Sequence, residues 1–225
     1  MNFTKYDLLL KRTATILAVA ILTLALLAAV TGALLGYYYQ PTAGGAYESL
    51  QTISDAVSSG WLVHSLHKLA GNGIIGLALV QMVVMFLGRQ FRPSWLVAWV
   101  GGIALILTTI GLGWTAMILD WTQTGYWRLS VELGTIEAIP FLGQTLRNIL
   151  TGGGISTDTV IHVYALHSYV LSVAAIALAV IHLGGLVVQE TEFKQAFRQR
   201  LEQLVADEVE ESENAERVDF AERQR

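Results

Sequence analysis

The sequence predicts an all-α membrane protein: four transmembrane helices in a bundle, short surface helices between them on one side, and a C-terminal amphipathic tail. Three observations carry this. The chain of 225 residues is 53% hydrophobic and only 14% charged, against about 25% charged in ordinary soluble domains. The missing charge is concentrated in four apolar runs, residues 13–38, 61–87, 95–119 and 160–188. Each exceeds the ~20 residues that a helix needs to cross a bilayer. The lysines and arginines flank these runs unevenly, which fixes an orientation.

The first run is too long for the 7–15-residue apolar segment of a signal peptide. The aromatic cluster "YYYQPT" that follows it reads as an interfacial belt after a retained span. The next connection holds a Pro and Gly-Gly break and one amphipathic helix, over residues 46–58. "LGRQFRPSW" is a tight turn between spans two and three, with Pro93 ending one and starting the other. Residues 120–159 are long for a structureless connection. There Leu133, Ile136, Ile139, Leu142, Leu146 and Ile149 recur at near-helical spacing around Pro140, so two short helices are expected along the membrane surface. "TGGGIS" breaks the chain before span four.

Lys5, Lys11 and Arg12 precede span one, Arg89 and Arg92 lie between spans two and three, and Lys194, Arg198 and Arg200 follow span four. The opposite loops hold Arg128 and Arg147, with Lys68 just inside span two. The positive-inside rule then puts both termini on the cytoplasmic or equivalent n-side and the two long loops on the p-side. The net charge of −4 reflects acids clustered in the tail. Residues 1–189 read as the membrane domain. Residues 190–225 read as an n-side tail, in which Phe193, Phe197, Leu201 and Leu204 form an amphipathic helix and the acidic end is disordered or docked on a partner. The sequence shows no internal repeat and no phosphate loop, and no nucleic-acid partner is expected. The chain has no cysteine, which excludes disulfides, Cys₄ clusters and thioether-attached haem.

All five histidines lie in spans two and four: His64, His67, His162, His167 and His182. An imidazole in hydrocarbon needs a partner, so intramembrane histidine is rare and usually functional. Fourteen residues make nearly four helical turns, so His67 and Gln81 share a face. His167 and His182, fifteen apart, share one as well. Spans two and four run in the same direction, so His67 faces His167 near the p-side and Gln81 faces His182 near the n-side. Two facing imidazoles with no thiolate or carboxylate at that depth suit haem iron. Polar glue between helices is the plainer alternative, and for Gln81 a hydrogen bond to a neighbouring helix or to a water is the better reading.

"TGALLGYYYQPT", "SGWLVHSLHK", "DWTQTGYW", "IPFLGQTLRNIL" and "YALHSYV" together resemble, in order and spacing, the cytochrome b6 branch of the cytochrome b family, over about residues 6–188. The resemblance implies a b-type cytochrome subunit that carries electrons to or from quinone within a Rieske/cytochrome b complex of a bacterial inner membrane or a thylakoid-type membrane. It implies a p-side haem b on His67 and His167, and an n-side haem on His182 and the residue at position 81. One haem is expected and two are possible. Partners implied are a subunit IV-like second half, a Rieske or c-type cytochrome subunit, and quinone, in a hetero-oligomer that could be dimeric. The "DWTQTGYW" loop would border the p-side quinol pocket.

The chain departs from the family pattern at informative places. Gln81 stands where the fourth axial histidine is expected, and an amide is a weak iron ligand. The n-side haem would then be five-coordinate and high-spin on His182, capped by Gln81 or water, or absent. His64 and His162 stand where arginines contact haem propionates; unlike arginine, histidine carries its charge only near or below pH ~6.5. Of four glycines that let haem faces approach the helices, Gly32 and Gly102 remain and Ala18 and Ala116 replace the others. Leu24 aligns with the cysteine that attaches an extra haem, so that attachment is excluded. The alternative function is a one-haem or haem-poor membrane anchor of a different oxidoreductase or assembly.

Overall fold

The computed structural model describes residues 5–88 and 95–223. The expected turn at Arg89, Arg92 and Pro93 lies outside the described residues. Among those described, the chain forms helices α1 (Lys5–Gly36), α2 (Ala46–Asp55), α3 (Gly60–Leu87), α4 (Leu96–Leu119), α5 (Gln123–Glu137), α6 (Gly143–Thr151), α7 (Thr157–Ala165) and α8 (Ser172–Arg223). A π-helical segment, Leu166–Leu171, joins α7 to α8 without a break.

Among the described residues, four helices are long and apolar enough to cross a membrane: α1, α3, α4 and the continuous α7–π–α8 element. They pack in a ring, α1 on α3, α3 on α4, α4 on α8 and α8 on α1, each antiparallel to its neighbours. A core of Ile21, Ala25, Ile74, Ala78, Leu105, Ala175 and Ala179 fills the middle. Leucine, isoleucine and valine side chains point outward, such as Val30 at 61% and Leu107 at 66% exposed. That is the apolar exterior a bilayer covers, not one that water would tolerate over four helices.

The two ends of the bundle differ. At the loop end, Leu129 and Leu133 of α5 are buried with Ala46, Ile118, Leu119, Val160 and Val163. Helix α5 thus covers that end, while Ile139, Leu142, Leu146 and Ile149 around Pro140 are exposed. Local signals place the helices. The Thr122 side chain caps α5 by accepting from Gly125 N–H at 3.2 Å. Ser156 and Thr159 form a reciprocal capping box that starts α7, the arrangement that satisfies two orphan N–H groups at once. Gly60 is required where α2 turns into α3, because a Cβ there would lie 1.9 Å from the Ile53 carbonyl oxygen.

At the other end, the terminal end, α8 runs 52 residues with no interruption. The expectation of a separate surface helix, followed by an acidic end disordered or docked on a partner, gives way to a helix continuous with span four through Arg223. Residues 186–223 contain neither Gly nor Pro and are rich in Glu, Gln, Ala and Arg, residues that propagate a helix once span four has nucleated it. Phe193 packs at the bundle, stacked on Phe197 and over the Lys11 ammonium at 4.4 Å. Leu201, Leu204, Val205 and Val209 beyond it are exposed.

A native chain without cysteine makes this continuity easy to test. Spin labels on Glu192→Cys and Glu210→Cys should sit on backbone positions about 27 Å apart, from a rise of 1.5 Å per residue, with a narrow distance distribution. A broad distribution centred well below that would show a bent or frayed tail.

Candidate functional site

The bundle brings two pairs of side chains face to face, one near each end. Near the loop end the rings of His67 (α3) and His167 (π segment) lie with centroids 6.3 Å apart and planes inclined at 60°. Near the terminal end Gln81 Nε2 lies 3.3 Å from His182 Nε2.

Each of the three imidazoles is pinned at Nδ1. His67 Nδ1 lies 2.9 Å from the Ala28 carbonyl oxygen and His182 Nδ1 lies 2.8 Å from that of Ala98. A carbonyl can only accept, so both rings carry the proton on Nδ1 and leave the Nε2 lone pair free. His167 Nδ1 lies 2.8 Å from Thr115 Oγ1. That hydroxyl already donates to the Gly111 carbonyl at 2.8 Å, so it accepts from His167, whose Nε2 is likewise the free lone pair. Thr31 donates to the Leu27 carbonyl at 2.7 Å and lies 3.2 Å from His67 Nδ1, a second contact holding that ring. Fixing one ring nitrogen to orient the other is how proteins present histidine to a metal.

The backbone is shaped to these rings. A Cβ at Gly32 would come within 2.9 Å of His67 Cε1, and one at Gly102 within 2.9 Å of His182 Cε1. The two glycines thus make room for the imidazoles themselves. The π segment solves a register problem. At 3.6 residues per turn the fifteen-residue step from His167 to His182 overshoots four turns by roughly 60°. A π turn absorbs one residue, so the step behaves as the fourteen-residue step from His67 to Gln81 does.

His64 Nδ1 lies 3.2 Å from Ser54 Oγ, a link between α3 and α2. His162 is exposed on α7. Ala18 is buried with Ala14, Met85, Ala98 and Leu186 at the terminal end. Leu24 packs on the central core. Sequence reasoning passed over Thr31 and Thr115, at 4% and 0% exposure. The signal was there: each is a hydroxyl inside an apolar run, immediately before a position where a small residue was already singled out.

Beside the loop end, Ala43, Gly44, Tyr47, Glu48, Trp121, Thr122 and Gln123 line a depression of about 500 Å³. Trp121 holds a left-handed backbone (φ 45°) there, a strained conformation for a bulky residue. Tyr39 spans the same region, its hydroxyl donating to the Leu119 carbonyl at 2.8 Å. Burial first, then the neighbouring Asp120 carboxylate, pushes the Tyr39 phenol well above its ordinary range.

Among the described residues, no three His, Asp or Glu side chains gather to hold a bare metal ion. Two opposed nitrogens suit a metal that brings its own equatorial ligands, as haem iron does.

Comparison with known proteins agrees. The family model described as Cytochrome b/b6/petB matches residues 10–191. The chain belongs to the cytochrome b/b6 family. It is 31% identical over 153 residues to cytochrome b6 of Oltmannsiellopsis viridis, covering 68% of this chain and 71% of that one. It is 32% identical over 162 residues to cytochrome b6 of Cyanidium caldarium, covering 72% and 75%. A solved structure titled hyperthermophilic respiratory Complex III is similar in fold, with TM-score 0.64 and 21% identity over 82% of this chain. The match spans about half the length of that chain, 48%. The family carries b-type haem, and the absence of cysteine is consistent with haem held without a covalent link.

Gly32→Val should therefore push the His67 ring aside and abolish the low-spin haem spectrum of the purified protein. Gly32→Ala should weaken haem retention less. An unchanged spectrum in the valine variant would show that the close contact does not govern the ring.

Proposed function

We propose that this cytochrome b6-like chain is the membrane electron-carrying subunit of a quinol-oxidising complex, with haem b held between His67 and His167. The observation that carries the reading is that pair: two imidazoles facing each other, each with Nδ1 committed to a neighbouring oxygen and Nε2 free. When bound, the haem supplies a one-electron couple. His67 and His167 hold the iron, Thr31, Thr115 and the Ala28 carbonyl fix their orientation, and Gly32 leaves room for the His67 ring. His64 and His162, at the same end of the bundle, are the proposed partners of the haem propionates.

The loop-end depression around Trp121, Thr122 and Gln123 supports a quinone-binding role for that face. A subunit IV-like partner completes the pocket, and a Rieske or c-type subunit accepts the electron. The distribution of basic residues supports placing both termini on the n-side. At the terminal end only His182 offers an imidazole, with Gln81 opposite. That departure favours one further reading, in which the same fold serves a different oxidoreductase as a one-haem membrane subunit.

Replacing His67 or His167 by Leu should remove the low-spin b-type signal from the reduced-minus-oxidised spectrum while the bundle still inserts. Spectra unchanged in both variants would defeat the assignment. For orientation, protease added to the p-side of sealed vesicles should spare the tail beyond residue 190, and efficient trimming there would reverse the topology.

A further inference from the structure

We infer that the terminal-end position of this bundle binds no haem, because Gln81 and His182 close it with a hydrogen bond of their own. The inference rests on the reading that haem b sits between His67 and His167, and it concerns how many carriers the chain holds.

The two facing pairs differ in three ways. The first is spacing. A metal between two ligand atoms lies ~2 Å from each, so the atoms stand about 4 Å apart. Gln81 Nε2 and His182 Nε2 are 3.3 Å apart, a direct hydrogen bond. The second is the atom presented. The Ala98 carbonyl holds the proton on His182 Nδ1, so Nε2 can only accept and the Gln81 amide N–H donates to it. An amide nitrogen has no lone pair to give a metal; a ligating glutamine would have to turn Oε1 inward. Here it is Nε2 that meets the ring nitrogen, and Oε1 is buried without a hydrogen-bond partner.

The third is packing. Gln81 and His182 are each 1% exposed, whereas His67 and His167 are only half-buried. Ala14, Ala18, Met85, Ala98 and Leu186 are buried together in the cluster at this end, with Met82 packed against it. Gly32 and Gly102 each face a histidine ring, but at Gly102 a Cβ would also meet Met82 Sδ at 3.3 Å. A close-packed interior does not part for a macrocycle without repacking several side chains. The chain then holds one carrier at the loop end and none at the other. An electron that crosses to the terminal side must use a redox group on another subunit.

The test is the haem b content of the purified native complex, measured as pyridine haemochrome per copy of this chain, in wild type and in variants. One haem b per chain is expected, and it should be lost in His67→Leu. His182→Leu and Gln81→Leu should both leave the ratio at one. Two haems per chain, or a fall in the ratio in either terminal-end variant, overturns the inference. Should His182→Leu fail to assemble, the wild-type ratio and Gln81→Leu still decide. No haem at all, or a single haem that survives His67→Leu, would instead refute the His67–His167 site on which the inference rests.

Discussion

The constraint on which this structure depends is that polar side chains inside an apolar bundle need partners from neighbouring helices. Water is not available there, and an unpaired buried polar group is costly. The histidines meet this demand at Nδ1. Ala28 and Ala98 give backbone carbonyls, and Thr115 gives a hydroxyl whose own proton is already bound to Gly111. Each of these bonds joins two different transmembrane helices, so the same contacts that satisfy the rings also set the helix pairing: α1 to α3, α4 to the π segment, α4 to α8. Site and scaffold are one network. What differs between the ends is what remains for Nε2. At the loop end both rings keep an Nε2 lone pair and neither can donate to the other, so the pair needs a third group, which a metal can supply. At the terminal end Gln81 brings a donor, which satisfies the His182 Nε2 although Gln81 Oε1 stays without a partner.

Small residues and one irregular turn make the network geometrically possible. Gly185 lies where a Cβ would come 3.0 Å from the Ala98 nitrogen, so α8 and α4 approach closely enough for His182 to reach the Ala98 carbonyl. The π segment turns His167 back into line with His182. Without it, the anchored end of one helix would aim one of its two imidazoles away from the interior. π turns concentrate at functional sites because they re-aim side chains without ending the helix, and this one coincides with a site residue.

Much of this was legible in the sequence. Four apolar runs, the short helices around Pro140 and the facing of His67 with His167 follow from length and periodicity, because lipid imposes a simple rule on both. For Gln81 a hydrogen bond to a neighbouring helix or to water was the plainer expectation, and its partner here is His182. Three features were not legible. The π segment was hidden because fifteen residues are close enough to four turns to pass without comment. Thr31 and Thr115 were passed over because a hydroxyl in a span commonly bonds its own helix, as Thr23 does with Val19. The unbroken α8 was missed because a change from apolar to charged composition looks like a boundary, although helix propensity does not change there.

The central claim is that two histidine nitrogens, and no other protein atoms, hold an iron at the loop end. Electron–nuclear double resonance on the oxidised complex, produced with ¹⁵N-labelled histidine, tests this directly by detecting the labelled nitrogens bound to ferric haem b. The account expects two directly coordinated histidine nitrogens on every low-spin haem b of this chain, both lost together when either His67 or His167 is replaced. Coordination by one histidine, or a two-histidine signal that persists without His67, would contradict it.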